Sequence, residues 1–242
     1  ESSGNFKMSV LITGHSSGLG RALAENYLKK GKQVWGIARR TLDRSDLDLV
    51  QIEADLSDMA ALKSTLNDAQ DILAGKPQTV FLNAAALGPI GPMSKITQQD
   101  IQTVMNTNVW GNKVILDWLI EKKIAPKQII LLSSGAAISA NYGWGPYALS
   151  KSSLNMLGKL YSQEMINTHI ISLAPGYVDT PMQEKLRAVD ANSFPSVKPL
   201  HEAQGTTLMP SAEDAAREII RHLDGLRKYP TGTFVDLRDI TQ

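Results

Sequence analysis

The chain alternates short runs of aliphatic and β-branched residues with longer segments that have the 3.6-residue periodicity of an amphipathic helix. This alternation is typical of successive strand–helix–strand units, in which parallel strands are covered by helices on both faces. We therefore predict an α/β fold with a doubly wound parallel sheet of about seven strands. The predicted strands are residues 9–13, 33–38, 50–54, 79–83, 128–133, 169–173 and 233–236, and the predicted helices are residues 20–30, 58–74, 97–121, 145–165 and 212–224.

A chain of 242 residues fits one α/β domain, which we expect to span residues 8–242. Residues 1–7 are polar and Met8 directly precedes the first predicted strand, so we expect residues 1–7 to be a leftover from expression. Residues 180–210 are rich in proline and lie between the sixth strand and the last helix. Because they also carry Met182, Leu186, Phe194 and Leu208, we predict a substrate lid there, with a disordered surface loop as the alternative.

The charge and cysteine content exclude several classes of protein. The net charge of +1 lacks the basic excess of a nucleic-acid binder, and the absence of cysteine excludes disulfides, thiol catalysis and thiolate metal sites. The histidines lack metal-ligand spacing, so we predict no metal. No apolar run is long enough to cross a bilayer and no signal peptide is evident, so we expect a cytoplasmic protein without a membrane partner.

The turn after the first predicted strand reads Thr-Gly-His-Ser-Ser-Gly-Leu-Gly over residues 13–20. Glycines allow a pyrophosphate to approach the backbone, and the following helix offers free N–H groups at its positive end. The spacing differs from Gly-x-Gly-x-x-Gly, but its position predicts a dinucleotide site and thus a single-domain Rossmann fold. The predicted cofactor contacts here are Gly14, His15, Ser16, Ser17, Gly18, Leu19 and Gly20.

The same turn also fits Gly-x-Ser-x-Gly, which indicates a serine hydrolase with Ser16 as the nucleophile. Asp179 and His201 follow in the chain order that such a triad requires. A nucleophile of this kind needs an oxyanion loop from an earlier strand, however, and no such strand precedes residue 9. The hydrolase is therefore the lesser alternative.

Tyr147 and Lys151 are four residues apart in a predicted helix, so their side chains should emerge on one face. An adjacent ammonium group favours phenolate, and we expect it to lower the pKa of the tyrosine. Ser134 follows the fifth strand at the edge of the sheet where ligands bind, and its hydroxyl can bind a substrate carbonyl oxygen. Alone, the pair also fits an ordinary tyrosine and lysine on a helix surface.

Taken together, residues 13–20, Asn83-Ala84, Asn108, Ser134, Tyr147 with Lys151, and Pro175-Gly176-x-Val178-x-Thr180 resemble the classical short-chain dehydrogenase/reductase family. The resemblance covers residues 8–236. It implies that Tyr147 protonates a substrate carbonyl oxygen as hydride arrives from a nicotinamide, while Ser134 orients that oxygen. It also implies that Lys151 holds the nicotinamide ribose and that Asn108 anchors a water for proton supply.

The resemblance implies further cofactor contacts at Asp55, Leu56, Asn83, Ala84, Tyr147, Lys151, Pro175, Gly176, Val178 and Thr180. The chain departs from the family at Ala85, where the family commonly has glycine, and this adds a methyl group on the adenosine side. Strand two ends in Arg39 and Arg40, with no acid for a ribose 2′-hydroxyl. Since arginine accommodates a 2′-phosphate, we predict NADPH/NADP+ as the cofactor.

Residues 144–147, 178–183 and 232–236 are similar to the branch of sepiapterin reductases and benzil reductases, which act on vicinal dicarbonyls. This implies an NADPH-dependent carbonyl reductase acting on a ketone or vicinal dicarbonyl, with a non-catalytic NADP(H)-binding redox sensor as the alternative. The predicted substrate residues are Tyr142, Trp144, Met182 and Asp236. Asp236 lies where sepiapterin reductases carry a pterin-anchoring aspartate, although an aspartate that ends a strand can equally be structural.

The family also implies a homodimer or homotetramer, built from the long helices after strands four and five. Trp110, Trp118 and Tyr161 lie on these helices and are candidate interface residues. Burial in the core of one subunit is the competing explanation for them.

Overall fold

The computed structural model describes residues 9–44, 48–71 and 77–240. Its strands form one parallel sheet in the order β3-β2-β1-β4-β5-β6-β7, which confirms the predicted doubly wound fold. The strands are β1 (Ser9–Thr13), β2 (Gln33–Ala38), β3 (Leu49–Glu53), β4 (Thr79–Leu82), β5 (Gln128–Leu132), β6 (His169–Ala174) and β7 (Thr233–Asp236). The order reverses direction between β1 and β4, so a crevice opens there at the carboxyl ends of the strands.

Apolar layers cover both faces of this sheet. The helices are α1 (Gly18–Lys29), α2 (Met59–Asp68), α3 (Gln98–Met105), α4 (Gly111–Glu121), α5 (Gly145–Glu164), α6 (Pro181–Arg187), α7 (Lys198–Ala203) and α8 (Ala212–Leu226). Leu11 and Ile129 point into one layer, beneath α2, α4 and α5, whereas Val10 and Ile130 point into the other, beneath α1 and α8. Burial on both faces explains why the strands are continuous aliphatic runs rather than alternating ones.

Two predicted helices differ from the structure. The predicted helix 97–121 is divided into α3 and α4 by a π-helical turn at Asn106–Trp110. The predicted helix 58–74 ends at Asp68, and its last residues, 72–74, lie outside the described residues. Most other boundaries agree within one or two residues, because β-branched runs and turn residues mark them locally.

Residues 180–210 contain α6, a short 3-10 turn (Pro195–Val197) and α7. Leu186, Val197 and Leu200 pack in an apolar cluster together with Trp144 from the start of α5. Leu208, in contrast, is 68% exposed. The segment therefore has a small core of its own, and its movement as a lid stays a prediction.

Residues 1–7, which we expected to be an expression leftover, lie outside the described residues. Within the described ranges, no helix has the length and apolar character that a membrane span requires.

Candidate active site

A cavity of about 1700 Å³ follows the carboxyl edge of the sheet from the glycine turn to the end of β7. It brings together most of the predicted site residues, namely Gly14, Ser16, Ser17, Gly18, Leu19, Arg39, Arg40, Asp55, Leu56, Asn83, Ala84, Ser134, Trp144, Tyr147, Lys151, Pro175, Gly176, Val178, Thr180, Met182 and Asp236. His15, Gly20, Asn108 and Tyr142 are not among the residues that line it.

The glycine turn leads from β1 into the N-terminus of α1. Gly14 and Gly18 adopt positive φ angles of 71° and 52°, which favour glycine. Ser17 occupies the N-cap position without a side-chain capping bond, and the first turn of α1 contains no acidic residue. The N–H groups and positive end of the helix are thus available to an anion in the cavity.

His15 and Gly20 support this turn from beneath rather than lining the cavity. The buried His15 ring packs against Gly36 of β2, and its Nε2 atom is 2.9 Å from Oε1 of Gln51. Burial lowers the pKa of His15, so the ring is neutral at physiological pH. Oε1 of Gln51 also accepts the backbone N–H of Leu42, and its Nε2 donates to the Leu42 carbonyl. These bonds connect the glycine turn to the loop after β2.

Arg39 and Arg40 are exposed at the end of β2, where they line the cavity beside Asp55. Oδ1 of Asp55 accepts hydrogen bonds from the backbone N–H and hydroxyl of Ser57, at 2.8 and 2.7 Å. Partial burial opposes ionisation of Asp55, but the Ser57 bonds and the nearby Arg39 charge hold its pKa below the usual value. The N-cap of α2 is Asp58, whose carboxylate accepts the N–H of Ala61 at 3.0 Å.

Asn83 holds β1 and β4 together at the point where the strand order reverses. Its backbone N–H donates to Oγ1 of Thr13 at 2.9 Å, and its side-chain amide donates to the Thr13 carbonyl at 3.0 Å. The N–H of Ala84 donates to the same hydroxyl. Ala85 does not have a positive φ, so alanine is tolerated where the family commonly has glycine.

Ser134 and Tyr147 meet across the cavity. The Ser134 hydroxyl accepts the N–H of Ala136 at 3.1 Å and lies close enough to the Tyr147 phenol to affect its pKa. Burial raises the pKa of Tyr147 to about 12, although the nearby Ser134 hydroxyl acts in the opposite direction. The tyrosine is therefore a neutral phenol at physiological pH.

Lys151 lies beneath Ser134 and Tyr147, on the same face of α5 as Tyr147. Its Nζ atom donates to the carbonyl of Leu132 at 2.5 Å and lies 5.5 Å from the centroid of the Tyr147 ring. Burial lowers the pKa of Lys151 to about 7. The lowered tyrosine pKa that we expected from the four-residue spacing is thus wrong for this structure, because burial dominates both groups.

Asn108 lies in the π-helical turn between α3 and α4, and its side chain is buried. Its Oδ1 accepts the N–H of Ala86 at 2.7 Å, while its Nδ2 donates to the Ala86 carbonyl and the Ser150 hydroxyl, both at 2.8 Å. Ser150 in turn donates to the backbone carbonyl of Tyr147. The amide thus has no donor left for a water, and Asn108 positions the loop after β4 against α5.

The predicted substrate residues occupy different surroundings. Trp144 is buried in the apolar cluster with Leu186, and Met182 is half-buried; both line the cavity. Tyr142 was predicted to line it but is 55% exposed and stacks on Phe194 at a centroid distance of 5.6 Å. The Tyr142 ring therefore lies outside the cavity, against the 180–210 segment, where stacking on Phe194 covers apolar surface of both rings.

Asp236 ends β7 with its carboxylate already bound. Oδ1 accepts the backbone N–H and Nε of Arg238, at 3.0 and 2.9 Å, and Oδ2 accepts Nη2 at 2.7 Å. Burial works against ionisation, but these bonds keep the pKa of Asp236 below its usual value. Sequence analysis missed Arg238, whose only local signal is its position two residues beyond the last strand.

The hydrolase triad is not assembled. His201 is exposed on α7 and does not line the cavity that contains Ser16. Asp179 instead pairs with Arg187, with a separation of 2.9 Å. The serine hydrolase alternative is therefore wrong.

Two of the three candidate interface residues belong to the subunit core. Trp118 and Tyr161 are buried, and the Tyr161 hydroxyl donates to Asp117. Trp110 is 39% exposed. Within the described part of the chain, no group of three or more His, Cys, Asp or Glu side chains could hold a metal ion.

Comparisons with known proteins show which proteins this chain resembles. A family profile described as short chain dehydrogenase matches residues 8–191. Benzil reductase ((S)-benzoin forming) from Bacillus subtilis is 28% identical over 240 residues, which covers 95% of this chain and 98% of that protein. NADPH-dependent pterin aldehyde reductase from Arabidopsis thaliana is 30% identical over 188 residues, which covers 72% of this chain and 76% of that protein.

A solved structure shows the same fold. The crystal structure of a short chain dehydrogenase/reductase from Saccharomyces cerevisiae superposes with a TM-score of 0.82 and 22% sequence identity. The alignment covers 95% of this chain and 96% of the yeast chain. The similarity in fold thus extends over nearly the whole length of both chains.

Proposed function

The chain belongs to the short chain dehydrogenase family, and on that basis we propose that it is an NADPH-dependent carbonyl reductase of ketones and vicinal dicarbonyls. The observation that carries the proposal is the meeting of Ser134, Tyr147 and Lys151 in a cavity continuous with the glycine turn at the start of α1. A protein that only sensed the redox state would not need these three side chains together.

The residues along the cavity fit a dinucleotide with a 2′-phosphate. The uncapped N-terminus of α1 suits the pyrophosphate, because its N–H groups have no competing acid in the first turn. Arg39 and Arg40 stand at the end of β2, where they would bind the additional phosphate. Relatives named for NADPH, such as the pterin aldehyde reductase, support this choice of cofactor.

When bound, the nicotinamide would supply the hydride for the carbonyl carbon. Tyr147 transfers its phenolic proton to the carbonyl oxygen, so that the C=O group becomes CH–OH and the phenolate is later reprotonated from solvent. A pKa of about 12 keeps this proton in place until negative charge develops on the oxygen. Ser134 can donate its own proton to the same oxygen, because its hydroxyl accepts the N–H of Ala136 and thus keeps its O–H free.

Lys151 contributes to the return of the proton. Its pKa of about 7 allows it to gain and lose a proton close to physiological pH, unlike an exposed lysine. Its contact with the Leu132 carbonyl fixes the amine beneath the Tyr147 ring. Asn108 is a positioning residue in this arrangement, acting through Ser150 on the backbone of Tyr147.

The substrate end of the cavity has apolar walls formed by Trp144 and Met182. Such walls suit a carbonyl compound with an aromatic or aliphatic body. The similarity to benzil reductase over nearly the full length of both chains supports a vicinal diketone. A pterin is less well supported by the site, because the Asp236 carboxylate is already bound to Arg238.

We also propose that the protein forms a homo-oligomer through α4 and α5. Trp110, Leu149, Met156 and Leu160 are exposed apolar residues on or next to these helices. Covering them would remove apolar surface from water, which is the main driving force for association. Sedimentation velocity of the wild type and of Met156→Glu tests this, since a monomeric wild type contradicts it.

The function is tested by following NADPH consumption with benzil, a small aliphatic 1,2-diketone, sepiapterin and a simple aldehyde. Wild type should reduce a diketone, and Tyr147→Phe should lower kcat by about 10²–10⁴-fold while NADPH still binds. Tyr142→Phe is the matched control, because this tyrosine lies outside the cavity. A wild type that binds NADPH but reduces none of these compounds contradicts the substrate class, and one that cannot bind NADPH contradicts the whole proposal.

A further inference from the structure

Arg238 reaches the cavity through a gap left by two glycines. Its Cγ and Cδ atoms lie 3.2 Å from where a Cβ atom on Gly176 would stand. Its Nη2 atom lies 3.5 Å from the corresponding position on Gly135. The guanidinium group therefore lies between the loop after β5, which carries Ser134, and the loop after β6, which lines the cofactor part of the cavity.

The side chain is held firmly in this place. Asp236 binds Nε and Nη2 in a two-pronged ion pair, and the guanidinium carbon lies 5.5 Å from the centroid of the Tyr177 ring. Such paired contacts fix both the position and the plane of a guanidinium group. Arg238 can therefore act as a preorganised donor rather than a mobile surface side chain.

Part of the guanidinium group is still available. The Arg238 side chain is 50% exposed, and its Nη1 atom has no hydrogen-bond acceptor among the described residues. Because Asp236 neutralises the positive charge, the pair as a whole carries no net charge. It suits a neutral oxygen acceptor, such as a ketone, better than a free carboxylate.

We propose that Arg238 selects vicinal dicarbonyls by donating a hydrogen bond from Nη1 to the second carbonyl oxygen, while Ser134 and Tyr147 bind the oxygen of the carbonyl that is reduced. This inference rests on the proposed carbonyl reductase function. It makes Arg238 a specificity-determining residue and gives Asp236 the task of orienting it. Asp236 then does not contact the substrate, contrary to the expectation from its position at the end of β7.

The test compares 1-phenyl-1,2-propanedione with its two monoketone analogues, propiophenone and phenylacetone, and with benzoylformate as an acidic analogue. Diketones are intrinsically more electrophilic, so the measured quantity is the ratio of diketone to monoketone kcat/KM in each variant relative to wild type. Arg238→Met should lower this ratio by about tenfold or more, the effect expected for loss of a charge-assisted hydrogen bond. Arg221→Met, at an exposed arginine of α8, is the matched control and should leave the ratio unchanged.

A second variant covers the case in which Arg238→Met fails to fold because it leaves Asp236 buried without a partner. Arg238→Lys keeps a positive charge beside Asp236 but has only one side-chain nitrogen. That nitrogen cannot donate to both the Asp236 carboxylate and the substrate carbonyl in the geometry that the guanidinium group allows. It should retain its melting temperature and NADPH affinity yet show the same fall in the ratio.

The possible failures are distinct. A wild type that reduces neither diketone nor monoketone contradicts the proposed function and this inference with it. A wild type that reduces the diketone, combined with an unchanged ratio in Arg238→Lys, overturns only the role of Arg238. A wild-type preference for benzoylformate that disappears in Arg238→Lys would overturn the assignment of a neutral acceptor.

Discussion

The hydroxyl of Ser134 lies close enough to Tyr147 to oppose the rise in the pKa of its phenol, whereas the adjacent Ser133 donates to Oδ1 of Asn155 at 2.6 Å. Successive residues of an extended chain point in opposite directions, so the two hydroxyls serve different purposes although both lie at the end of β5. Ser134 faces Tyr147, the proton donor that we propose, and Ser133 ties the strand to α5.

The first prediction follows from this division. Ser134→Ala should lower kcat by about 10²-fold, since on the proposed mechanism it removes a hydrogen-bond donor to the developing oxyanion. Ser133→Ala should leave kcat nearly unchanged but lower the free energy of unfolding by about 1 kcal/mol, because Asn155 loses its partner. Steady-state kinetics and urea denaturation of both variants measure these effects, and equal losses of kcat would contradict the assignment.

The second prediction concerns pH and Lys151. Its pKa is lowered from 10.5 to about 7 by burial, so between these values the unfolded chain binds a proton that the folded chain does not. The resulting destabilisation is fully present below about pH 7 and disappears as the pH rises towards 10.5. Lys151→Met removes it, so the stability gained by the variant over wild type should shrink as the pH rises.

Urea denaturation of both proteins without cofactor, at intervals from below pH 7 to above pH 10, provides the measurement. Parallel stability curves would mean that Lys151 has a similar pKa in the folded and unfolded chains. Surface lysines titrate alike in both proteins and cancel in the difference.

The third prediction separates the two arginines at the end of β2. Arg39 lies close enough to Asp55 to help lower its pKa, and both residues line the cavity. Arg39→Ser should therefore raise KM for NADPH by about tenfold while changing KM for NADH little. Arg40→Ser is the paired comparison and should have the smaller effect; a similar loss with both cofactors would contradict the 2′-phosphate assignment.

The fourth prediction uses two glycines in helices. A Cβ atom on Gly20 would stand 2.3 Å from the Gly14 carbonyl oxygen and 2.4 Å from Nδ2 of Asn83, so Gly20→Ala should destabilise the protein by about 1–3 kcal/mol. A Cβ atom on Gly225 in α8 would have nothing within 4 Å of it, and Gly225→Ala should stabilise by up to about 1 kcal/mol. Thermal denaturation measures both changes, and a stable Gly20→Ala variant would show that the turn can relax.

Much of the fold could be predicted because its signals are local. The aliphatic runs of β1 and β5 are buried on both sides, and the turn residues that follow them stop each strand within a residue of its predicted end. The cavity residues were also accessible to prediction, since parallel strands all present their carboxyl ends at one edge. Ser134, Tyr147 and Lys151 were therefore expected to meet.

The features that sequence analysis missed depend on contacts between distant segments. The π-helical turn around Asn108 is stabilised by bonds to Ala86 and Ser150, and no periodicity within residues 97–121 indicates it. Likewise, the sequence does not reveal whether Trp118 and Tyr161 face a partner or the core, because apolar residues are suited to both.

By itself, then, the sequence determined the order of the strands along the chain, the glycine turn and the set of chemical groups at the sheet edge. Tertiary structure alone decided how those groups are charged and paired. Burial, which depends on everything packed around a side chain, raised the pKa of Tyr147 and lowered that of Lys151. A long side chain can adopt many orientations, and the sequence does not indicate which one it takes. In the structure, Arg238 binds the carboxylate of Asp236 because Gly135 and Gly176, on separate loops, leave space for its side chain.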